Sequence, residues 1–170
     1  MIISIQQSSI EHLPTINKFY KTATAFQKAK GAVPWSEILN ELIVQEIEEQ
    51  RQWNLKINNQ IACVWVVTEN DPQIWGLRNK DSALYIHRIS THSDFRGLNL
   101  VKEIVKWAKV YSNKNNKKYI RMDTVGKNPE LICYYQKCGF DYLGLYKLED
   151  TDGLPNHYNK ANVCLFQMTV

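Results

Sequence analysis

The sequence predicts an α/β (α+β) fold, with a mixed, mostly antiparallel sheet of about seven strands and about four helices in the order βααβββαβαββ. Three observations lead there. Apolar residues alternate along the chain between a period of 2 and a period of 3.6. No repeat, low-complexity tract or composition break divides the 170 residues, so one domain over 1–170 is expected. A strand from Ala83, a helix from Asn99 and a strand from Tyr119 form one crossover unit, whose two strands should run parallel.

Each element has its own signal. Ile2 to Gln6 reads as a short first strand. Ile10 to Gln27 is helical by pattern, with Ser9 as N-cap and Leu13, Ile16, Phe19, Tyr20 and Ala23 on one face. Gly31 and Pro34 break the chain into a loop. Ser36 is expected to cap a second helix, whose stripe is Leu39, Leu42, Ile43 and Ile47. Trp53 to Ile57, the turn residues Asn58-Asn59 and the β-rich run Ile61 to Thr68 read as a hairpin, with Trp65 as core filling. Asp71-Pro72 opens a stretch read as a polar loop to Asp81, followed by a strand from Ala83 to Thr91. Leu100, Ile104, Trp107, Ala108 and Tyr111 step at helical spacing over Asn99 to Ser112. After the strand Tyr119 to Thr124, Asn128-Pro129 opens a further helix and Gly139 closes it. Phe140 to Leu148 and Asn162 to Val170 read as the last two strands.

Composition excludes several classes. Apolar residues are 44% and charged residues 22% of the chain, which is globular rather than disordered composition. The formal net charge of +4 is too mild to imply nucleic-acid binding and would suit an anionic ligand. The basic turn Lys114 to Lys118 reads as a solvated surface. The N-terminal residues lack a secretory pattern, and no apolar run approaches membrane-spanning length, so a cytoplasmic location without membrane association is expected. Cys63, Cys133, Cys138 and Cys164 have no Cys-x-x-Cys spacing and no zinc-like histidine offset. They read as free thiols, and no metal is expected.

The chemistry concentrates between Tyr85 and Val101. There a strand runs into a loop holding Arg96-Gly97, and the loop runs into a helix. The unpaired amides and positive dipole end of that helix make an anion site, to which Arg96 adds a forked donor. At Arg96-Gly97-Leu98-Asn99-Leu100-Val101 the chain resembles the phosphate-binding motif of the GNAT superfamily of acyl-CoA N-acetyltransferases, Gln/Arg-x-x-Gly-x-Gly/Ala. A second motif follows at the family's separation. Ile120 to Thr124, Asn128, Tyr135 and Gly139-Phe140 are similar to its strand, Asn, helical Tyr and Gly-Phe. The order of elements matches over essentially the whole chain. Two departures stand out: Asn99 and Val101 replace small residues. Asn tolerates a left-handed backbone, whereas the Val101 side chain is expected where the family keeps the backbone bare against the pyrophosphate.

The resemblance implies transfer of an acetyl group from acetyl-CoA to a primary amine of a small molecule or peptide, by direct attack through a tetrahedral intermediate. It leaves a non-catalytic acyl-CoA- or partner-binding module as the alternative, and a monomer or homodimer as the assembly. It implies that Tyr135 protonates the departing thiolate, with Tyr134 as its structural neighbour. His87 stands where related enzymes carry a glutamate base, and reads either as a base or as a strand histidine bonded to its neighbours. Arg88 should point to the opposite sheet face unless a bulge intervenes. The backbone of Ile89, Ser90 and Thr91 would hold the pantetheine arm like an added strand. Gly97 to Val101 with Arg96 and Lys102 would hold the phosphates, aided by Lys106 and Lys127, and Asn128 would bind the arm while also serving as an N-cap. Phe26, Trp35 and Trp75 are the aromatic candidates for the acceptor cleft, and Glu37, Glu41, Glu69 and Asp71 its candidate charges.

Overall fold

The structure, a computed structural model, describes residues 1–170. In chain order the elements are β1 (Ile3–Gln7), α1 (Leu13–Ala29), α2 (Asn40–Glu48), β2 (Gln52–Ile57), β3 (Gln60–Thr68) and α3 (Pro72–Trp75). They continue with β4 (Ala83–Thr91), α4 (Leu100–Lys114), β5 (Tyr119–Val125), α5 (Pro129–Lys137), β6 (Asp141–Lys147) and β7 (Asn162–Thr169). The seven strands form one sheet in the order β1-β2-β3-β4-β5-β7-β6. Every neighbouring pair is antiparallel except β4 and β5, the pair joined by the expected crossover.

Two expectations about local structure change. The stretch read as a polar loop from Asp71 carries the one-turn helix α3, which makes five helices rather than about four. It folds because Ile74 and Trp75 have a core to enter: both are buried, with Ala83, Tyr85, Val163 and Leu165. Ser36 does not cap α2. The helix starts four residues later, after the extended Leu39, and Ser36 bonds His157 instead. At the hairpin, Asn58 and Asn59 take φ of 48° and 68°, the left-handed pair that a two-residue turn requires.

Alternation along the strands sorts the sheet into two covered faces. Leu84 and Ile86 of β4, Ile120 and Met122 of β5, and Cys164 and Phe166 of β7 pack against α4 and α5. The alternate residues face α1, α2 and α3. On that second face lies Arg121, only 1% exposed. Its guanidinium donates to the Arg78 carbonyl (2.6 Å), Tyr85 Oη (3.1 Å), Gln167 Oε1 (2.8 Å) and Asp81 Oδ2 (2.6 Å). It sits 4.7 Å from the centroid of the Trp75 ring and 4.8 Å from that of Tyr119. This arginine closes the end of the sheet where β4 and β5 remain paired.

Arg121→Ala should lower the unfolding free energy by about 3 kcal/mol or more, since it strands four hydrogen-bond partners and leaves a cavity. Urea denaturation monitored by tryptophan fluorescence measures this.

Candidate active site

The site begins where a ladder stops. β4 and β5 pair only at Ala83–Tyr119, Leu84–Ile120 and Tyr85–Arg121. Beyond these three pairs the strands diverge, although β4 runs on to Thr91 and β5 to Val125. The β5-facing edge of β4 from Ile86 onward is therefore free of a strand partner. A bulge lies at the same place. Val66 opposes His87 and Val64 opposes Ser90, so Arg88 and Ile89 share the single residue Trp65. Arg88 takes φ of +52° there. This is the exception to alternation anticipated for Arg88: both it and His87 reach the face of α1 and α2. Arg88 pairs with Glu46 of α2 and lies 5.2 Å from the centroid of the Tyr20 ring.

At the open end of β4 the chain turns into α4. Gly97 has φ +84° and open space where a Cβ would stand. Asn99 is left-handed at φ 55°, ψ 39°, which Asn tolerates in place of Gly. The amides of Gly97, Asn99 and Leu100 make no hydrogen bond within the protein. Val101 departs from expectation: its side chain is 7% exposed and packs in the core between α4 and the sheet. Its branched carbon turns inward because the 3.6 period places it with Leu100, Ile104 and Val105, so it does not cover the loop. Arg96 is exposed, with its guanidinium 4.0 Å from the centroid of Phe26. Lys102 and Leu98 are exposed beside it. Gly97 and the loop's free amides thus form a cradle suited to phosphate oxygens.

Inside the divergence, on the α1–α2 face, three titratable side chains meet. His87 Nε2 lies 3.7 Å from Asp71 Oδ2 and 3.2 Å from Thr68 Oγ1. Its Nδ1 lies 3.8 Å from Asp123 Oδ1. Asp123 accepts a hydrogen bond from Tyr158 Oη at 2.9 Å, and its side chain is 2% exposed. Burial, and then the neighbouring Asp123 charge, push the Asp71 carboxyl up to about 8. Burial pushes Asp123 up to about 6, against the Tyr158 hydrogen bond. Burial, then the Arg88 and Arg51 charges, push His87 down to about 4. Near neutral pH the cluster therefore holds a protonated Asp71, a neutral imidazole and an ionised Asp123. The candidate ligand atoms of the three residues lie within 4.8 Å of one another, a spacing open to a metal ion. The imidazole, however, turns a different nitrogen to each carboxylate. That arrangement brings no single nitrogen to both carboxyl groups, and at 3.7 and 3.8 Å the contacts are electrostatic and longer than hydrogen bonds.

Tyr135 approaches from the other face. It is 9% exposed, packed edge-on against Phe166 at 5.1 Å. Burial raises its phenol well above the ordinary value, with the charges of Tyr134, Cys138, Cys63 and Asp123 adding to the rise. Tyr134 lies half-buried with its phenol toward the Val101 amide, and burial raises it to about 12. Asn128 accepts from the Leu131 amide at 3.1 Å, so its N-cap role is in place. Ser90 Oγ donates to the Phe19 carbonyl, and Thr91 Oγ1 meets Cys63 Sγ, leaving their main chain as the part facing the opening.

The aromatic candidates separate. Trp35 is half-buried, edge-on to Tyr20 at 6.0 Å on the acceptor face. Phe26 is instead with Arg96 at the phosphate loop. Trp75 is 2% exposed in the core under Arg121, because α3 folds it inward. Of the candidate charges only Asp71 faces the cluster; Glu69 pairs with Lys117 at 2.7 Å, and Glu37 and Glu41 are exposed. Sequence reasoning missed Asp123 and Tyr158. An aspartate between Ile120, Met122 and Val125 is a polar outlier in an apolar strand and could have been flagged. Tyr158, in the last long loop, carries no such mark.

Residues 17–140 match the model of the Acetyltransferase (GNAT) family, and the chain belongs to that family. It is an acetyltransferase by that membership. It is 24% identical over 123 residues to an uncharacterized N-acetyltransferase of Bacillus subtilis, YesJ, covering 68% of each chain. A GNAT-family acetyltransferase structure from Listeria monocytogenes superposes with a TM-score of 0.78 at 20% identity, covering 99% of this chain and 95% of that one. Salmonella typhimurium yncA, a putative acetyltransferase solved with its cofactor acetyl-CoA, superposes at 0.69 and 11% identity, covering 98% and 93%.

Asp71→Asn should stabilise the protein, increasingly so as pH rises. Between the unfolded value near 3.8 and the folded value near 8, the folded state keeps a proton that the unfolded chain has released. Stability is thus lost as pH climbs through that window, and asparagine removes the loss. Denaturant titrations at pH 5 and pH 8 should show a small gain at the lower pH and about 2 kcal/mol or more at the higher.

Proposed function

We propose that this chain transfers the acetyl group of acetyl-CoA directly to a primary amine within the β4–β5 divergence, with Asp123 and His87 taking the amine's proton and Tyr135 protonating the leaving sulfur. The observation that carries it is the divergence of β4 and β5, which opens the sheet between a proton-accepting cluster on one face and a protonated phenol on the other. The residues present fit the cofactor. Gly97, Asn99 and Leu100 offer amides for the pyrophosphate, with Arg96 and Lys102 alongside. The free edge at Ile89, Ser90 and Thr91 offers main-chain partners for the amide-bearing arm, with Asn128 opposite. The Val101 side chain, packed in the core, leaves the phosphate loop's main chain uncovered, which supports cofactor binding.

Bound acetyl-CoA supplies an electrophilic thioester carbonyl and a thiol leaving group. The chain's residues supply the rest. An amine reaches the cleft as an ammonium ion and must lose a proton before it can attack. Asp123, ionised near neutral pH and raised toward it, is matched to accept that proton. His87 turns its Nδ1 toward Asp123 as a neutral imidazole, so it can share the proton that Asp123 takes. An amide of the bulged β4 backbone near Ile89 serves the developing oxyanion. The raised phenol of Tyr135 keeps its proton until a thiolate forms nearby, as an acid for that step should.

Acetyl-CoA at about 100 times its Kd should stabilise the protein by about 2.7 kcal/mol, read as a rise in thermal midpoint. The absence of any shift overturns the reading. The kcat/KM profile should climb with an acidic limb near pH 6. Asp123→Asn should lose that limb and about 100-fold or more in turnover while keeping the acetyl-CoA shift, and Tyr135→Phe should lose kcat while keeping the limb. Wild-type turnover in both variants would remove the assigned roles.

A further inference from the structure

The acceptor side of this cleft is roofed by two segments distant in sequence. Residues 30–39, between α1 and α2, meet residues 148–161, between β6 and β7. They are latched reciprocally: the Ser36 amide donates to His157 Nδ1 at 3.0 Å, and the His157 amide donates to Ser36 Oγ at 2.9 Å. The Gln73 side chain of α3 donates to the Asp152 carbonyl, tying a third side down. Val33 reaches over the end of β5, where a Cβ on Gly126 would meet it at 3.6 Å. The roof is aromatic. His157 stacks on Tyr158 at 4.5 Å, and Trp35 is held through its amide by Gln27 Oε1. Tyr158 reaches from it to Asp123.

Under that roof lie two carboxyl groups and no free cation. The guanidinium groups that act on His87 are those of Arg88 and Arg51, and both are paired, Arg88 with Glu46 and Arg51 with Glu49 at 2.5 Å. Arg121 is committed at the closed end of the sheet. An acceptor with a carboxylate beside its amino group would set that charge against Asp123 in a buried site, with no guanidinium or ammonium free to receive it. An extended peptide would need an exit groove, and the Ser36–His157 latch ties the two covering segments together across 121 residues of sequence.

We infer that the acceptor is a small, positively charged primary amine without an adjacent carboxylate, enclosed between an acidic floor and the aromatic strap latched by Ser36 and His157. This rests on the acetyl-transfer reading above and narrows it. It excludes free amino acids by charge and peptide N termini by enclosure, while an ammonium gains the Asp123 carboxylate, the Asp71 oxygen that lacks a hydrogen-bond partner and the Tyr158 ring.

Matched acceptors test it. The purified chain with acetyl-CoA is assayed by free-thiol release on agmatine against arginine, tyramine against tyrosine, putrescine against ornithine, and a pentapeptide with a free N terminus and no lysine. At least one decarboxylated amine should exceed its parent amino acid at least tenfold in kcat/KM and the peptide about a hundredfold. Ser36→Ala should raise KM for that amine, narrow the margin over the peptide and leave KM for acetyl-CoA unchanged. Preference for an amino acid or the peptide, or acetyl-CoA binding with no amine turned over, overturns the inference alone. A Ser36→Ala enzyme with wild-type selectivity overturns the latch. Failure to bind acetyl-CoA at all overturns the acetyl-transfer reading beneath it.

Discussion

The whole arrangement depends on the failure of β4 and β5 to stay paired. A continuous parallel ladder would satisfy every main-chain group and seal the two faces of the sheet from each other. Here it ends after three pairs. The gap is the one region where Tyr135, among α4 and α5, can act with Asp123 and His87, among α1 and α2. Pairing is enforced below the gap by Arg121, whose buried guanidinium binds β4 through Tyr85 and β7 through Gln167. Above it, α4 and α5 pack against the sheet on one face. The opening is thus built into the sheet and does not wait for a ligand.

The bulge at Arg88 has the same logic on a smaller scale. A non-glycine residue with positive φ costs about 1 kcal/mol or more. The ion pair with Glu46 and the contact with Tyr20 offset that cost, and both partners belong to helices. The helical layer thereby sets the backbone of the reactive strand. Without the bulge, Arg88 would enter the opposite apolar core, and Ile89 would displace it toward the cleft. The charge of Arg88 also opposes protonation of His87, so one side chain tunes the cluster and shapes the strand that carries it.

Elements of the fold were legible because their signals are local. Asn58-Asn59, Asn128-Pro129 and Gly139 each report a backbone conformation on their own, and the alternation in β4 and β5 reports two covered faces. The phosphate loop was legible for the same reason: Arg96 to Val101 lie together in sequence. Val101 was misjudged because a motif gives spacing but not the rotation of a helix relative to its sheet; packing with Ile104 and Val105 decides that. Trp75 and Ser36 were misplaced because their partners, Arg121 and His157, are far along the chain. The cluster itself was only half visible. His87 and Asp71 were in view, but their meeting with Asp123 follows from the parallel register Tyr85–Arg121, which no single segment specifies.

The energetics of that cluster bear on why it survives. Asp71 Oδ2 is buried without a hydrogen-bond partner, and a second carboxyl stands close by. Each such group costs free energy that an apolar residue would not. Folding alone gives no reason to keep them, and the Tyr158 bond to Asp123 recovers only part of the cost. An arriving ammonium changes the balance, because it supplies the donors and the positive charge that the folded chain withholds. The penalty borne by the free protein then becomes differential affinity for a cation. On the proposed reading, loss of its proton to Asp123 would weaken that attraction and leave a neutral amine in the cleft. In the proposed reaction Asp123 would thus favour entry of the charged form and promote its conversion to the reactive one, provided that no resident arginine neutralises it first. The pairing of Arg88 with Glu46 meets that condition.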